Sequence, residues 1–421
     1  LWDADEIRVI KDGKDIPAQY KILNRWDDGS LQWVEGVSNV SKRFRVLYNQ
    51  GTYNKIIDYP VETRLDGSKV TLARGDILLE VDLKEGKGDF ISGNRRLTFS
   101  LSRLIDEGGE VFYAKEGRAQ ILEEGPLRGT IRIQGEHVDD FGRRFMRFDI
   151  FISMYAHTPI LEITHALGVN DMDDSSEEHP EFLSISSMDI PIALYEEKIE
   201  RAYALTEGGK KVRVPVSGRL FQCEDFQFEI ADNNTGILEK GTRANGSILF
   251  ETDEGGIFAS VPEFWQQYPK GFAVADSHMS VELFPKLNEP KTRRYNEREN
   301  DHIWYYYLHD DLYRMRQGVE KSHKLYIGFT ELDSPPVTNA KLRALLSFPV
   351  CIPDFEYLSR TRVLGELIPI GGPFEDWDAL FKEGFSTYMK KLEDERWYGL
   401  LNWGDWHGER EYNWGNLEYD D

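Results

Sequence analysis

From Val70 to about Phe329 apolar residues recur at every second position, and few chain folds satisfy that pattern. Ile77, Leu79, Val81 and Leu83 alternate with Leu78, Glu80, Asp82 and Lys84, and Ile131 and Ile133 alternate with Arg132 and Gln134. Phe148, Ile150, Ile152 and Met154 alternate with Arg147, Asp149, Phe151 and Ser153. Successive strand side chains point to opposite faces, so each run is a strand with one face in a core and one in water. Parallel sheets, covered on both faces, give continuous apolar runs instead. Turn signals at Glu107-Gly108-Gly109, Phe141-Gly142, Asn245-Gly246 and Glu254-Gly255-Gly256 punctuate the pattern. The expectation is one large antiparallel β-sandwich.

The flanks read differently. Asp12-Gly13 separates Ile7–Ile10 from Ile16–Leu23, a hairpin signal. Asp27-Asp28-Gly29-Ser30 separates Trp26 from Leu31–Val34, and Trp26 and Trp33 are expected to pack on each other as core. After Asp333-Ser334-Pro335-Pro336 the period lengthens. Ala340, Leu342, Ala344, Leu345 and Phe348 predict a short helix. Trp377, Leu380, Phe381, Phe385, Tyr388 and Leu392 predict an amphipathic helix with one buried stripe. The fold class is therefore mainly β with a helical final segment, divided at 1–65, 66–335 and 336–421. At 421 residues the chain is long enough for two or three such domains.

Charge narrows the partners. With 51 Lys and Arg against 74 Asp and Glu, the formal net charge is −23, which disfavours nucleic acid and anionic membrane surfaces. A few cations gathered in one place can still bind an acidic ligand. No run is apolar enough to span a membrane. Cys223 and Cys351 lie beside apolar residues and read as buried free thiols, so neither a disulfide framework nor a structural metal is expected, and no cofactor is implied. The acidic run Asp171–Glu178 reads as a solvated loop, since it lacks the glycine-centred spacing of a calcium loop. His157 and His165, on or beside strands, read as hydrogen-bonded core or surface groups. The chain starts at Leu1 with no signal peptide, which slightly favours the cytoplasm, although the start reads as cut or processed. Oligomeric state is not written in the sequence.

Polar chemistry gathers in two places. Between Pro262 and His323, Trp265-Gln266-Gln267-Tyr268-Pro269-Lys270-Gly271 has the composition of a sugar-contacting loop. Lys321 and His323, two residues apart at a strand start, can share one face. Arg293, Arg294, Arg298, His302, Tyr305, Tyr306, Tyr307, Arg314 and Arg316 lie between them. At the other end Trp403, Asp405, Trp406, His407, Asn416, Glu418 and Tyr419 mix flat aromatic faces with amides and carboxylates, as saccharide clefts do.

The Trp265–Gly271 segment, Gly318-Val319-Glu320-Lys321-Ser322-His323, and Arg25-Trp26-Asp27-Asp28-Gly29-Ser30-Leu31-Gln32-Trp33-Val34 resemble the exo-rhamnogalacturonan lyase/YetA-like family, akin to polysaccharide lyase family 26. The resemblance implies a small barrel-like N-terminal β domain, the central sandwich and a C-terminal α/α toroid that this chain only begins. It also implies a lyase cleaving a uronate-containing pectic polysaccharide by β-elimination. Such a reaction neutralises the carboxylate, takes the C5 proton and protonates the leaving O4. The expected catalytic set is His323, His407, Lys321 and Tyr419, with His323 and His407 on opposite walls of a cleft between sandwich and toroid. Arg314, Arg316, Trp265, Lys270, Trp403, Asp405, Trp406, Asn416 and Glu418 are the expected substrate contacts. Two alternatives stand: an α/α-toroid glycoside hydrolase using Asp405, Glu409, Glu418 or Asp420, and a non-catalytic saccharide-binding protein or fragment.

Overall fold

The computed structural model describes residues 2–40, 43–49, 59–169, 183–287, 308–309, 311–332, 342–344, 346, 350–400, 406–407 and 413–414. Its strands from Glu62–Asp66 to Glu320–Thr330 join one antiparallel network, which the period-2 pattern foretells. Two runs of pairing build it. One passes from Arg95–Ser100 through Leu183–Leu194, His278–Phe284 and Lys270–Val274 to Gly218–Glu224. The other passes from Arg128–Val138 through Arg144–Tyr155, Ile160–Gly168 and Glu320–Thr330 to Gly255–Ser260.

Each run turns its apolar positions inward, and the two inner faces meet in one core. Phe90 from the first face stacks on Phe329 from the second, centroids 5.4 Å apart. Leu79, Val81, Leu97, Ile131, Ile133, Phe148, Ile150 and Ile152 are fully buried there. Arginines on the outer faces pair with carboxylates on neighbouring strands, as in Arg132–Asp149 and Arg103–Asp189.

The N-terminal residues form two small sheets rather than a closed barrel among the described residues. Arg8–Lys11 and Lys14–Ile16 make the expected hairpin, in which Asp12 and Gly13 both have positive φ (51° and 75°). A tight two-residue turn that matches strand twist needs that conformation. Ala18–Arg25 pairs with Leu31–Ser38. Gln19 anchors this hairpin to the sandwich: its side-chain oxygen accepts from the Leu127 and Arg128 amides at 2.7 and 2.9 Å. Trp26 and Trp33 are both largely exposed, against the expectation that they pack as core. A two-stranded hairpin has no second layer to cover them.

Helix α1 (Phe355–Thr361) is capped by Asp354, whose carboxylate accepts from the Tyr357 amide. Helix α2 (Glu375–Asp394) lies where the period of nearly four places it, but its stripe is not buried. Trp377, Leu380, Phe381 and Phe385 are each more than half exposed. Periodicity specifies which side of a helix is apolar, not what covers it. No α/α toroid is formed among the described residues; Trp406–His407 and Asn413–Trp414 pair instead as a short β-ladder. Of the expected short helix around Leu342, only Leu342–Ala344 is described, and it is helical. Cys223 is buried as expected, whereas Cys351 is exposed. Asp171–Glu178 lies outside the described residues.

Core packing sets one expected outcome. Phe90→Ala should cost about 3–5 kcal/mol in urea unfolding, because a large ring is removed from a closed core. Phe141→Ala, at a ring that is 86% exposed, should change stability by no more than about 0.5 kcal/mol.

Candidate functional site

Inside the sandwich, at one end of the core, the apolar rows give way to basic side chains. On Glu320–Thr330 the inward positions read Lys321, His323, Leu325, Ile327, Phe329, so two polar residues open a row that is otherwise hydrophobic. The register with Ile160–Gly168 sets His165 directly across from His323 and Leu167 across from Lys321. From the facing layer, Lys270 opens its own inward row, followed by Phe272 and Val274. Phe284, on the strand beside it, meets the His323 ring edge-on at 5.3 Å. Lys270 and His323 therefore face one another across the layers, with Phe284 between them.

Burial dominates the electrostatics. Lys270 is 1% exposed, and its Nζ donates to the Leu283 carbonyl at 2.9 Å. Desolvation, reinforced by Lys321, drives its pKa well below the usual lysine value. Lys321, nearer the rim, is pushed down to about 8 by burial, with Glu263 acting in the opposite sense. His323 is held neutral at pH 7 by burial and then by Lys270 and Lys321. Its Nε2 has no hydrogen-bond partner among the described residues. The carboxylates of the strand pair next to Lys270 are directed outward and already paired, Asp189 with Arg103 and Glu282 with Arg219.

Behind His323 lies a second polar group that the sequence did not single out. Ser102 sits between the Nε2 atoms of His137 and His165, 2.9 Å from each, and His137 Nδ1 reaches the Met146 carbonyl at 3.0 Å. His165 was expected to be a satisfied core or surface histidine. Its Nε2 is satisfied, but its Nδ1 is buried and has no partner among the described residues. Ser102 and His137 could not be singled out from sequence, because nothing in the chain's period shows that two strands and a turn converge on one hydroxyl.

The other expected site residues are distributed as follows. Trp265 is buried, not open for stacking on a sugar. Tyr398 meets its ring at 4.9 Å and the Arg243 guanidinium lies 3.7 Å over it. The Tyr398 segment continues as a strap: the Gly399 and Leu400 amides donate to the Gln266 and Tyr268 carbonyls at 2.8 and 2.7 Å, and Arg396 pairs with Asp225. Arg314 follows the buried Tyr313 on Leu312–Met315, and Arg316 is exposed just beyond. The side chains of Trp406 and His407, together with Trp403, Asp405, Asn416, Glu418, Tyr419 and the arginine-rich segment around Arg293, Arg294 and Arg298, lie outside the described residues. No group of three or more metal-ligating side chains occurs among the described residues.

A concavity of ≈ 220 Å³ lies elsewhere, on the outer face of the second layer beneath the N-terminal hairpin. Its central cation, Arg128, is already shared by Glu123 and Glu35. A charge satisfied in this way leaves less for a ligand than Lys270 does.

No family model matches the chain. It is 25% identical over 174 residues to the uncharacterized protein YetA of Bacillus subtilis (strain 168), a match covering 39% of this chain and 20% of that protein. The chain thus matches about a fifth of that relative's length. Among solved structures it is similar to a glycosyl hydrolase family 38 protein from Enterococcus faecalis, with 11% identity and a TM-score of 0.39 over 82% of this chain and 42% of that one. It is also similar to a galactose mutarotase related enzyme from Lactobacillus acidophilus, with 10% identity and a TM-score of 0.30 over 65% and 98%. Likenesses this loose carry no weight for function.

The depressed Lys321 gives a pH-dependent expectation. Between about pH 8 and the ordinary lysine value the unfolded chain holds this proton and the native chain has released it, so Lys321 adds stability as pH rises through that window. Lys321→Met should therefore be more stable than the parent at pH 7, by on the order of 3 kcal/mol at most, with the difference closing by about pH 10.5. Urea midpoints across the pH series would check it; a difference that does not vary with pH would contradict the depressed amine.

Proposed function

We propose that the chain is the sandwich portion of a protein that binds a uronate-containing saccharide at this basic end and cleaves it by β-elimination. The observation that carries the reading is the convergence of Lys270, Lys321 and His323 at one end of the core, with no carboxylate set against Lys270 among the described residues. A lysine placed in a core without an anion costs several kcal/mol, which a protein retains where an anion is to be received. A uronate carboxylate entering beside Lys270 and Lys321 restores the charge of Lys270 and pairs with that of Lys321, and the two ammonium groups withdraw negative charge from it. That is the neutralisation which makes the C5 proton acidic.

His323 supplies the base. A neutral imidazole at pH 7 is competent to take a proton, whereas an aspartate would be too weak unless strongly shifted. As the base takes H5, its C–H electron pair forms the C4–C5 double bond and the C4–O4 bond breaks. O4 then needs a proton from the opposite wall, for which His407 and Tyr419 are the proposed donors. Lys321 and Lys270 hold the carboxylate, and Arg314 and Arg316 are proposed as further contacts to the acidic saccharide. The sequence resemblance to rhamnogalacturonan lyases supports this choice among acidic saccharides.

Rhamnogalacturonan oligosaccharides incubated with the protein should yield unsaturated product absorbing in the ultraviolet. His323→Ala should lower its formation by roughly 10²–10⁴-fold. Lys270→Met should weaken oligosaccharide binding while leaving the fold intact by circular dichroism. New reducing ends without ultraviolet absorbance would make the protein a hydrolase instead. Near-full elimination by His323→Ala would remove the assignment of the base.

A further inference from the structure

The hydrogen bonds behind His323 have a fixed direction. A carbonyl oxygen only accepts, so the 3.0 Å contact to Met146 requires that His137 carry its proton on Nδ1. Burial pushes His137 down to about 4, so the ring is neutral at pH 7 and its Nε2 is a bare acceptor. Ser102 must then spend its single O–H on His137 Nε2. Toward His165 the same oxygen can only accept, so His165 donates from Nε2–H. Burial, and then His137, push His165 down to about 3, so it too is neutral and its Nδ1 keeps a lone pair. That nitrogen belongs to a side chain with 0% exposure and has no partner among the described residues.

Because the chain of bonds terminates on a carbonyl, which cannot take up a proton, it cannot conduct one. It can only hold each ring in one tautomer. The cross-strand partner of His165 is His323, whose Nε2 is the other buried histidine nitrogen without a partner among the described residues. The groups that surround the pair from the facing layer are Lys270 and Phe284, with Lys321 on the same strand as His323.

We propose that His165 is a positioning residue that selects the tautomer of His323: its bare Nδ1 accepts from His323 Nε2–H through a small ring rotation, leaving His323 Nδ1 as the basic nitrogen. The proposal rests on the reading of His323 as the base and adds which of its nitrogens acts and what fixes that choice.

The test is long-range ¹H–¹⁵N spectroscopy of the imidazoles in histidine-labelled protein at pH 7, which reports directly which ring nitrogen is protonated. The wild-type protein should show His165 and His323 each protonated at Nε2 and bare at Nδ1. Ser102→Thr, which keeps the hydroxyl, should preserve both, and Ser102→Ala should turn both into tautomer mixtures. A wild-type spectrum with the His165 or His323 proton on Nδ1 overturns the proposal, whether or not the alanine variant folds. So does a folded Ser102→Ala protein with wild-type tautomers. The readout needs no substrate, so absence of elimination alongside the expected tautomers would count against the functional reading alone.

Discussion

The antiparallel register between Ile160–Gly168 and Glu320–Thr330 is the constraint on which fold and site both depend. It runs from Ile160 opposite Gly328 to Gly168 opposite Glu320 and joins the centre of one layer. Leu161, Ile163 and Leu167 meet Ile327, Leu325 and Lys321 along its inner face. A slip of one residue would send all of these outward and bring Glu162, Lys324 and Tyr326 into the core. The same register places His165 beside His323. The apolar part of the ladder thus holds in place the two polar residues at its end.

That arrangement is costly. Two lysines and three histidines share a core end with phenylalanines, and each is driven toward its neutral form. Hydrophobic substitutes would pack there without penalty. Elsewhere in the sandwich, pairs such as Arg132–Asp149 and Arg103–Asp189 keep charge on the outer faces, strand to strand. The contrast between paired charge outside and neutralised basic groups inside is what separates this end of the molecule from the rest.

The sheet was legible because alternation is a local signal repeated along each strand, and burial of Ile77, Leu79 and Val81 between half-buried neighbours follows from it. Lys321 and His323 sharing a face was legible for the same reason. What alternation could not show is which face was inward, so the pair read as a strand start and not as part of the interior. Trp265 misled because composition cannot distinguish a ring offered to a ligand from one covered by Arg243 and Tyr398. The stripe on α2 misled in the opposite way: amphipathic spacing was present, but burial was not. Ser102 and His137 carried no sequence signal, since their meeting with His165 depends on contacts between residues 35 and 63 apart.

Proton uptake on ligand binding tests the anion site most directly. Calorimetric titration with a galacturonate-containing oligosaccharide near pH 8.5, repeated in buffers of different ionisation enthalpy, counts the protons taken up per ligand bound. If a uronate is received by Lys270 and Lys321, binding should draw protons from the buffer, because the arriving carboxylate raises amines that burial had lowered. Lys270→Met should reduce the uptake, and a neutral oligosaccharide should bind weakly with none. Equal affinity for the acidic and neutral sugars, without proton uptake, would contradict the assignment of this basic interior as an anion site.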